Sequence, residues 1–286
     1  MKNKFTVSDF KEHKKNGKKI SVLTAYDYPT AKILDESGVD CILVGDSLGM
    51  VVLGYEDTTR VTMEDMIHHT KAVVRGTNHA LVVADLPFLS YHTGKYESVR
   101  NAGRLVNEGG CKAVKLEGGE EILDSVEAII NAGIPVMGHL GYTPQSVNLF
   151  GGHKAQGKTL ATAKKIYKDA VLLQEAGAFS IVLECVPYKL ASLISQRLDI
   201  PTISIGAGPF CDGQVLVTQD MVGMFRDFTP KHVKKYADMG TVLEGAVKYF
   251  ITEVYEGSFP TEMNSFIIDD EIINELNEYI LNSSKT

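Results

Sequence analysis

The sequence predicts a single-domain α/β protein, a (β/α)8 or TIM barrel, and three observations predict it. Short runs rich in β-forming residues recur along the chain, each followed by a stretch with helical periodicity. The repeat is roughly thirty residues per β-α unit, with about eight strands, as a barrel requires. The runs are almost continuously apolar rather than alternating, the pattern of parallel strands buried on both faces. A doubly wound open sheet is the alternative that shares this local pattern. No linker, low-complexity segment or long charge run divides the chain, so residues 1–286 read as one barrel domain with an N-terminal helical extension and a C-terminal helical tail.

In chain order, KISVLTAYD (19–27) is the first strand, and PTAKILDESG after it is a helix closed by Gly38. CILVGD (41–46) is the second strand. VTMEDMIHHTKAVVRG (61–76) reads as a helix, with Thr62 as N-cap, Asp65 three residues on and Gly76 as its stop. ALVVAD (80–85) is the third strand, followed by the helical YESVRNAGRLVNEGG, which ends on paired glycines. KAVKLEGG (112–119) is the fourth strand, EEILDSVEAIINAG a helix and IPVMGH (134–139) the fifth strand. KTLATAKKIYKDAVLLQEAG (158–177) is a long amphipathic helix before the sixth strand, FSIVLE (179–184). VPYKLASLISQRLD is helical, IPTISIGAG (200–208) is the seventh strand and GQVLVTQD (213–220) the eighth. The tail DDEIINELNEYILNSSKT reads as a terminal helix that packs on the barrel or on a neighbouring chain.

Composition narrows the function. With 44% hydrophobic and 23% charged residues the chain is ordinary for a soluble globular protein. Its net charge of -7 and scattered lysines argue against nucleic acid as a partner. The basic stretch KEHKKNGKK (11–19) reads as a solvated helix end. Cys41, Cys111, Cys185 and Cys211 form no C-x-x-C pair and no zinc-ligand spacing, so they read as reduced thiols. Cys41 and Cys111 adjoin apolar runs and read as small core residues. No run approaches the roughly 18 apolar residues of a membrane span, and the N-terminus lacks a hydrophobic signal core. The expectation is a cytoplasmic enzyme with small-molecule partners and no membrane contact.

The chemistry sits at the strand ends. Asp46 and Asp85 end the second and third strands, and Lys115 and Glu117 stand two apart on one face of the fourth. His139 ends the fifth strand and Glu184 the sixth. In a barrel these ends converge on the rim that carries active sites. Taken singly, each has a plain structural reading: a helix cap, a turn former, or an ion pair between Lys115 and Glu117. His139 is equally well read as structural. Together, several carboxylates on one rim repel one another unless something positive compensates. Oxygen ligands without a His-Cys cluster favour a hard cation, and Mg²⁺ takes one or two carboxylates and leaves its other positions to water and substrate. Asp46 and Asp85 would be those two, with Glu117 binding directly or through water, and the open positions suit a 2-oxo acid.

Two glycine-rich segments compete for attention. GHKAQGKT (152–159) matches the pattern of a phosphate-cradling loop, G-x-x-x-x-G-K-[ST]. That reading needs a strand just before it, and TPQSVNLFG is broken by Pro144, Gln145 and Asn148. The plainer reading is a loop with Thr159 near a helix start. GAGPFCDG (206–213) lacks dinucleotide-binding spacing and reads as a loop near the site, with Asp212 and Gln214 as minor candidates.

The segments LTAYDYPTA, VGDSLGMVVLGYEDT, VADLPFLSY, AVKLEGG, GHLGYTPQ, VLECVP and IGAGPFCDGQVLV closely resemble the ketopantoate hydroxymethyltransferase family, over about residues 3–260. The resemblance implies a Mg²⁺-binding (β/α)8 barrel that transfers a hydroxymethyl group from 5,10-methylenetetrahydrofolate to 3-methyl-2-oxobutanoate. The products would be 2-dehydropantoate and tetrahydrofolate, on the pantothenate route to coenzyme A. It implies Asp46 and Asp85 as metal-binding aspartates and Glu117 as the third acid of the metal site. It implies Ser47 and Lys115 as substrate contacts and Glu184 as the general base. Asp46, Asp85 and His139 would also face the substrate. It further implies a homodecamer built as a dimer of pentameric rings.

Overall fold

The computed structural model describes residues 4–150 and 155–284. Eight strands close into a barrel in sequence order, every neighbouring pair parallel. They are β1 (Ile20–Thr24), β2 (Cys41–Val44), β3 (Leu81–Asp85), β4 (Ala113–Glu117), β5 (Val136–Gly141), β6 (Ser180–Glu184), β7 (Thr202–Ile205) and β8 (Gly213–Leu216). Seven lie within the runs expected from sequence, β5 runs two residues past His139, and the closed order excludes the open sheet.

Each strand packs on two faces. Ile20, Val22, Cys41, Leu43, Leu81, Val83, Ala113, Met137, Val182, Ile203 and Val215 fill the barrel interior. The alternate residues, such as Ile42, Val82, Val114 and Ile181, join the outer helices in a second apolar layer. This double burial explains the unbroken apolar runs. The N-terminal end of the interior is plugged by Phe10, from helix Val7–Lys15, which meets Phe5 at 5.6 Å and Phe179 at 5.2 Å between ring centroids. The basic stretch after it is not purely solvated. Lys14 Nζ donates to the carbonyls of Ser195 and Ile200 and to Asp212 Oδ2, and Lys19 Nζ to the Cys211 carbonyl.

Local rules set the helix limits. Thr62 and Asp65 cap each other's backbone at the start of helix Met63–Gly76, and Gly38 ends helix Tyr28–Ser37 in the left-handed region. Gly76 is the last helical residue rather than a stop. A Cβ there would lie 2.6 Å from the Tyr28 carbonyl oxygen, so its role is close packing. No helix joins β7 to β8; residues 206–212 return directly. Seven extended residues reach roughly 24 Å, enough to run back along strands this short.

By its internal contacts the chain divides into two compact units, Met1–Ala237 and Asp238–Thr286. The first holds the barrel and the N-terminal helix. The second holds helices Met239–Glu256 and Asp270–Ser283, and none of its described side chains is buried. Helix Asp270–Ser283 is the terminal helix the sequence predicts, and Met239–Glu256 is a further helix before it. Among the described residues no helix is long and apolar enough to cross a membrane.

Gly141 closes β5 at a φ of 99°, where a Cβ would lie 2.2 Å from the Glu184 carbonyl oxygen. Gly141→Ala is expected to destabilise the fold by about 1–3 kcal/mol and to lower Tm by several degrees in a thermal melt. An unchanged Tm would mean the β5–β6 junction yields freely.

Candidate active site

The strand pleat decides which polar residues meet. Val83, Ala113, Met137 and Val182 point into the barrel. Two residues further along the same strands come Asp85, Lys115, His139 and Glu184, and a further two along β4 comes Glu117. The register sets Asp85 opposite Lys115, Glu117 opposite His139 and Glu184 opposite Gly141. Asp46 and Ser47 join them from the turn after β2. All seven line one cavity of about 800 Å³ at the C-terminal mouth.

The contacts form a continuous network. Lys115 Nζ lies 3.1 Å from Asp85 Oδ2 and 3.2 Å from His139 Nδ1. The Asp46 backbone N–H donates to the same Asp85 oxygen at 3.1 Å. Ser47 Oγ is 2.8 Å from the Tyr26 hydroxyl. A lysine ammonium only donates, so His139 Nδ1 accepts and the ring proton sits on Nε2. Nε2 stands 3.3 Å from Glu184 Oε2. It makes no aligned hydrogen bond there, so the contact is electrostatic. Burial, then the Lys115 charge, pushes His139 below its ordinary value, which keeps the imidazole neutral.

Charge balance is the site's main tension. Asp46, Asp85, Glu117 and Lys115 are all at most 4% exposed, so little solvent screens them. Burial, then Glu117 and Asp85, drives the Asp46 carboxyl well above the usual range. Burial holds Glu117 up at about 7 and raises Glu184 as well. Burial alone would lower the Lys115 ammonium, but the Asp85, Glu117 and Asp46 carboxylates outweigh it and hold it above its ordinary value. A single ammonium does not neutralise four carboxyls. Two carboxylate oxygens, Asp85 Oδ1 and Glu117 Oε1, are buried without any donor. Acceptors with no donor, in an acidic pocket, fit a cation. Among the described residues no three His, Cys, Asp or Glu side chains converge as a cage for an ion. A Mg²⁺ site built on two carboxylates and completed by water and substrate needs no such cage.

Sequence reasoning missed Gln145. Its Nε2 donates to Asp46 Oδ2 at 2.8 Å and to the Leu86 carbonyl at 2.9 Å, and its backbone N–H donates to Glu117 Oε2 at 2.9 Å. The Tyr91 hydroxyl donates to Gln145 Oε1 at 2.7 Å. One buried amide thus ties the β2, β3 and β4 ends together. Nothing in the local pattern marks Gln145, because it follows Pro144 in a loop and its partners are remote in sequence.

The minor candidates do not join the site. Asp212 pairs with Lys14 at 2.9 Å and accepts the Thr202 N–H, which places it toward the N-terminal end of the barrel. Gln214 Nε2 donates to the Gly208 carbonyl and is exposed. The glycines of that loop serve the β7–β8 return: Gly208 has a φ of 87°, and a Cβ there would lie 2.4 Å from Tyr188 Cβ. Within GHKAQGKT, residues 152–154 lie outside the described residues. The segment before it is the short helix Val147–Phe150, not the strand a phosphate-cradling loop follows. Thr159 caps helix Leu160–Glu175, and Lys158 lines the cavity.

A closed parallel barrel with a buried acid-lysine cluster at its C-terminal mouth is the architecture of a barrel enzyme. Solved structures with the same fold include a 2,3-dimethylmalate lyase of the PEP mutase/isocitrate lyase superfamily, at 14% identity and TM-score 0.58, covering 98% of each chain. Another is a phosphonopyruvate hydrolase in complex with oxalate and Mg²⁺, at 12% identity and TM-score 0.57, covering 97% of this chain and 96% of that one. The family description for ketopantoate hydroxymethyltransferase matches residues 4–262, and the chain belongs to that family, a family of transferases. The chain is 74% identical over 278 residues to a 3-methyl-2-oxobutanoate hydroxymethyltransferase of Acetivibrio thermocellus, covering 97% of this chain and 98% of the relative. It is 60% identical over 271 residues to the enzyme of that name from Clostridium botulinum (strain 657 / Type Ba4), covering 95% and 98%.

Because the folded state binds the Glu117 proton more tightly than the unfolded chain, whose carboxyl titrates near 4.5, this group stabilises fully below that pH. The contribution is lost as pH rises through about 7. In chelator-treated protein Tm should therefore fall between those limits, and Glu117→Gln should flatten the slope. An unaltered slope in the variant would move the proton to another group.

Proposed function

We propose that the chain transfers a hydroxymethyl group from 5,10-methylenetetrahydrofolate to 3-methyl-2-oxobutanoate, giving 2-dehydropantoate and tetrahydrofolate in pantothenate biosynthesis. Membership of the family and the names of its relatives support the reading. The observation that carries it is the pair of donor-less buried oxygens on Asp85 and Glu117 beside Lys115 and Glu184 in one cavity.

The reaction needs a carbanion equivalent at C3 of the oxo acid. Asp46 and Asp85 would hold Mg²⁺, with Glu117, whose Oε1 has no donor, as the third acid of the site, binding directly or through water. When bound, Mg²⁺ supplies Lewis-acid stabilisation of the enolate oxygen. Lys115 offsets the substrate's negative charge, and Ser47, steadied by Tyr26, orients its carboxylate. Glu184 takes the C3 proton. Its burial raises its proton affinity, and neutral His139 steadies it through Nε2–H.

A homodecamer of paired pentameric rings is the assembly we propose. Its support is the unit Asp238–Thr286, where Val242, Leu243, Phe250, Phe266, Ile267 and Ile268 are all exposed. Apolar surface of this extent marks a protein interface. Four free cysteines accord with a cytoplasmic setting.

The reading is tested by proton NMR of 3-methyl-2-oxobutanoate in D₂O with the protein and Mg²⁺. The C3 proton signal should disappear without any folate, and its persistence would sink the proposal. Asp46→Ala is expected to cost more kcat than Glu184→Gln, whose loss should be about 10²–10⁴-fold. The reverse order would place the larger catalytic contribution on the base. Light scattering should give ten times the chain mass of 31.3 kDa.

A further inference from the structure

The cavity has a second wall that the acid cluster does not explain. A five-carbon oxo acid bound at the ends of β2–β6 fills only part of about 800 Å³. The remaining wall carries Val217, Phe225, Phe228 and Pro230, with Lys231 and His232 beside them. Among the described lining residues it bears one carboxyl, Asp220. Asp220 lies in the turn Thr218–Met221 directly after β8, the strand diametrically opposite β4 in the closed barrel.

That turn is fixed rather than loose. The Thr218 N–H donates to Thr24 Oγ1 at 3.1 Å, and the Thr218 hydroxyl donates to the Thr24 carbonyl at 2.6 Å, locking it to the end of β1. Asp220 is only 7% exposed, and its carboxyl makes no hydrogen bond or ion pair with the described residues. Burial pushes the carboxyl up to about 6, against the pull of Lys235. The other titratable neighbour is the Tyr26 hydroxyl, which is held by Ser47.

Hydroxymethyl transfer from an aminal donor needs an acid as well as a base. The methylene carbon is bonded to two nitrogens, and an amine leaves well only when protonated. Glu184 must begin unprotonated to accept the C3 proton. Lys115 is committed to Asp85, and His139 has Nδ1 on Lys115 and Nε2 facing Glu184. One group cannot serve both roles at once, and sites that run acid and base chemistry together separate them on groups in different environments.

We propose that Asp220 is the general acid that protonates the departing nitrogen of the one-carbon donor. This inference rests on the function proposed above. The bond from the methylene carbon to N10 breaks, its electron pair stays on nitrogen, and N10 takes the Asp220 proton. The methylene is left as an N5 iminium. Water adds to the iminium carbon, and the carbon–N5 bond then breaks with its electron pair on N5, which takes one water proton. Formaldehyde is left in the cavity, and its oxygen, which came from the water, takes the other water proton once the new bond forms. The C3 carbanion forms the new carbon–carbon bond, and the C3 proton held by Glu184 returns through solvent to recharge Asp220. Nothing is oxidised or reduced.

The test compares wild type with Asp220→Asn and Asp220→Glu in three assays. These are C3 proton exchange without folate, product formation from 5,10-methylenetetrahydrofolate, and product formation from formaldehyde, which has no nitrogen to expel. For Asp220→Asn the folate-dependent kcat should fall about 10²–10⁴-fold, while exchange and the formaldehyde reaction stay within about threefold of wild type. Asp220→Glu should recover part of the folate-dependent loss. Normal folate-dependent turnover in Asp220→Asn would overturn the assignment. So would a parallel loss in all three assays, which would mark a structural role. Absence of exchange in the wild type would instead remove the underlying reading, and this inference with it.

Discussion

Charge compensation in the barrel mouth is the constraint on which the rest of this structure depends. Four carboxyls, Asp46, Asp85, Glu117 and Glu184, meet in the barrel mouth around one buried ammonium, Lys115. Ionised carboxylates in such a place are costly unless paired, hydrogen-bonded or neutralised. The protein answers in part with its own donors: the Asp46 N–H on Asp85, the Gln145 amide on Asp46 and the Gln145 N–H on Glu117. It leaves Asp85 Oδ1 and Glu117 Oε1 without donors. A site arranged only for stability would satisfy them. Leaving them open keeps a place where a positive charge binds strongly and a developing negative charge can be held.

The barrel makes that concentration of charge tolerable. Strands β3–β6 present apolar residues to the interior along their lower part and a polar one toward their C-terminal end. The cluster is therefore carried on a floor of Val83, Met137 and Val182, with Phe10 sealing the far end. Strands fix side chains more firmly than loops do, and the register sets each polar residue beside a defined neighbour. The cavity wall after β8 is a different environment. It carries Phe225, Phe228 and Pro230, and its carboxyl, Asp220, follows the strand opposite the one that bears Lys115.

Much of this was legible in the chain. The unbroken apolar runs gave eight parallel strands, and their abrupt endings on Asp85, His139 and Glu184 gave the site, because the two-residue strand period places side chains without reference to the rest of the fold. The Thr62–Asp65 cap was equally readable, being a contact within one turn. Features made by residues distant in sequence were not. Gln145 bridges strand ends 28, 59 and 99 residues away, Asp212 looked like a site residue yet braces Lys14, and the glycines of residues 206–213 proved to serve a strand return.

The sequence by itself determined the order of the strands and of the helices between them, the shared face of Lys115 and Glu117, and the set of acids available for chemistry. These depend on periodicity and on contacts within a few residues. Tertiary structure alone decided that the β2–β6 ends close on one cavity, that Gln145 is the donor knitting them together, that the His139 ring is neutral with its proton toward Glu184, and that Asp220 faces the same space from β8. Each is a matter of distance and desolvation between groups far apart along the chain. Such quantities exist only once the barrel has closed and excluded water.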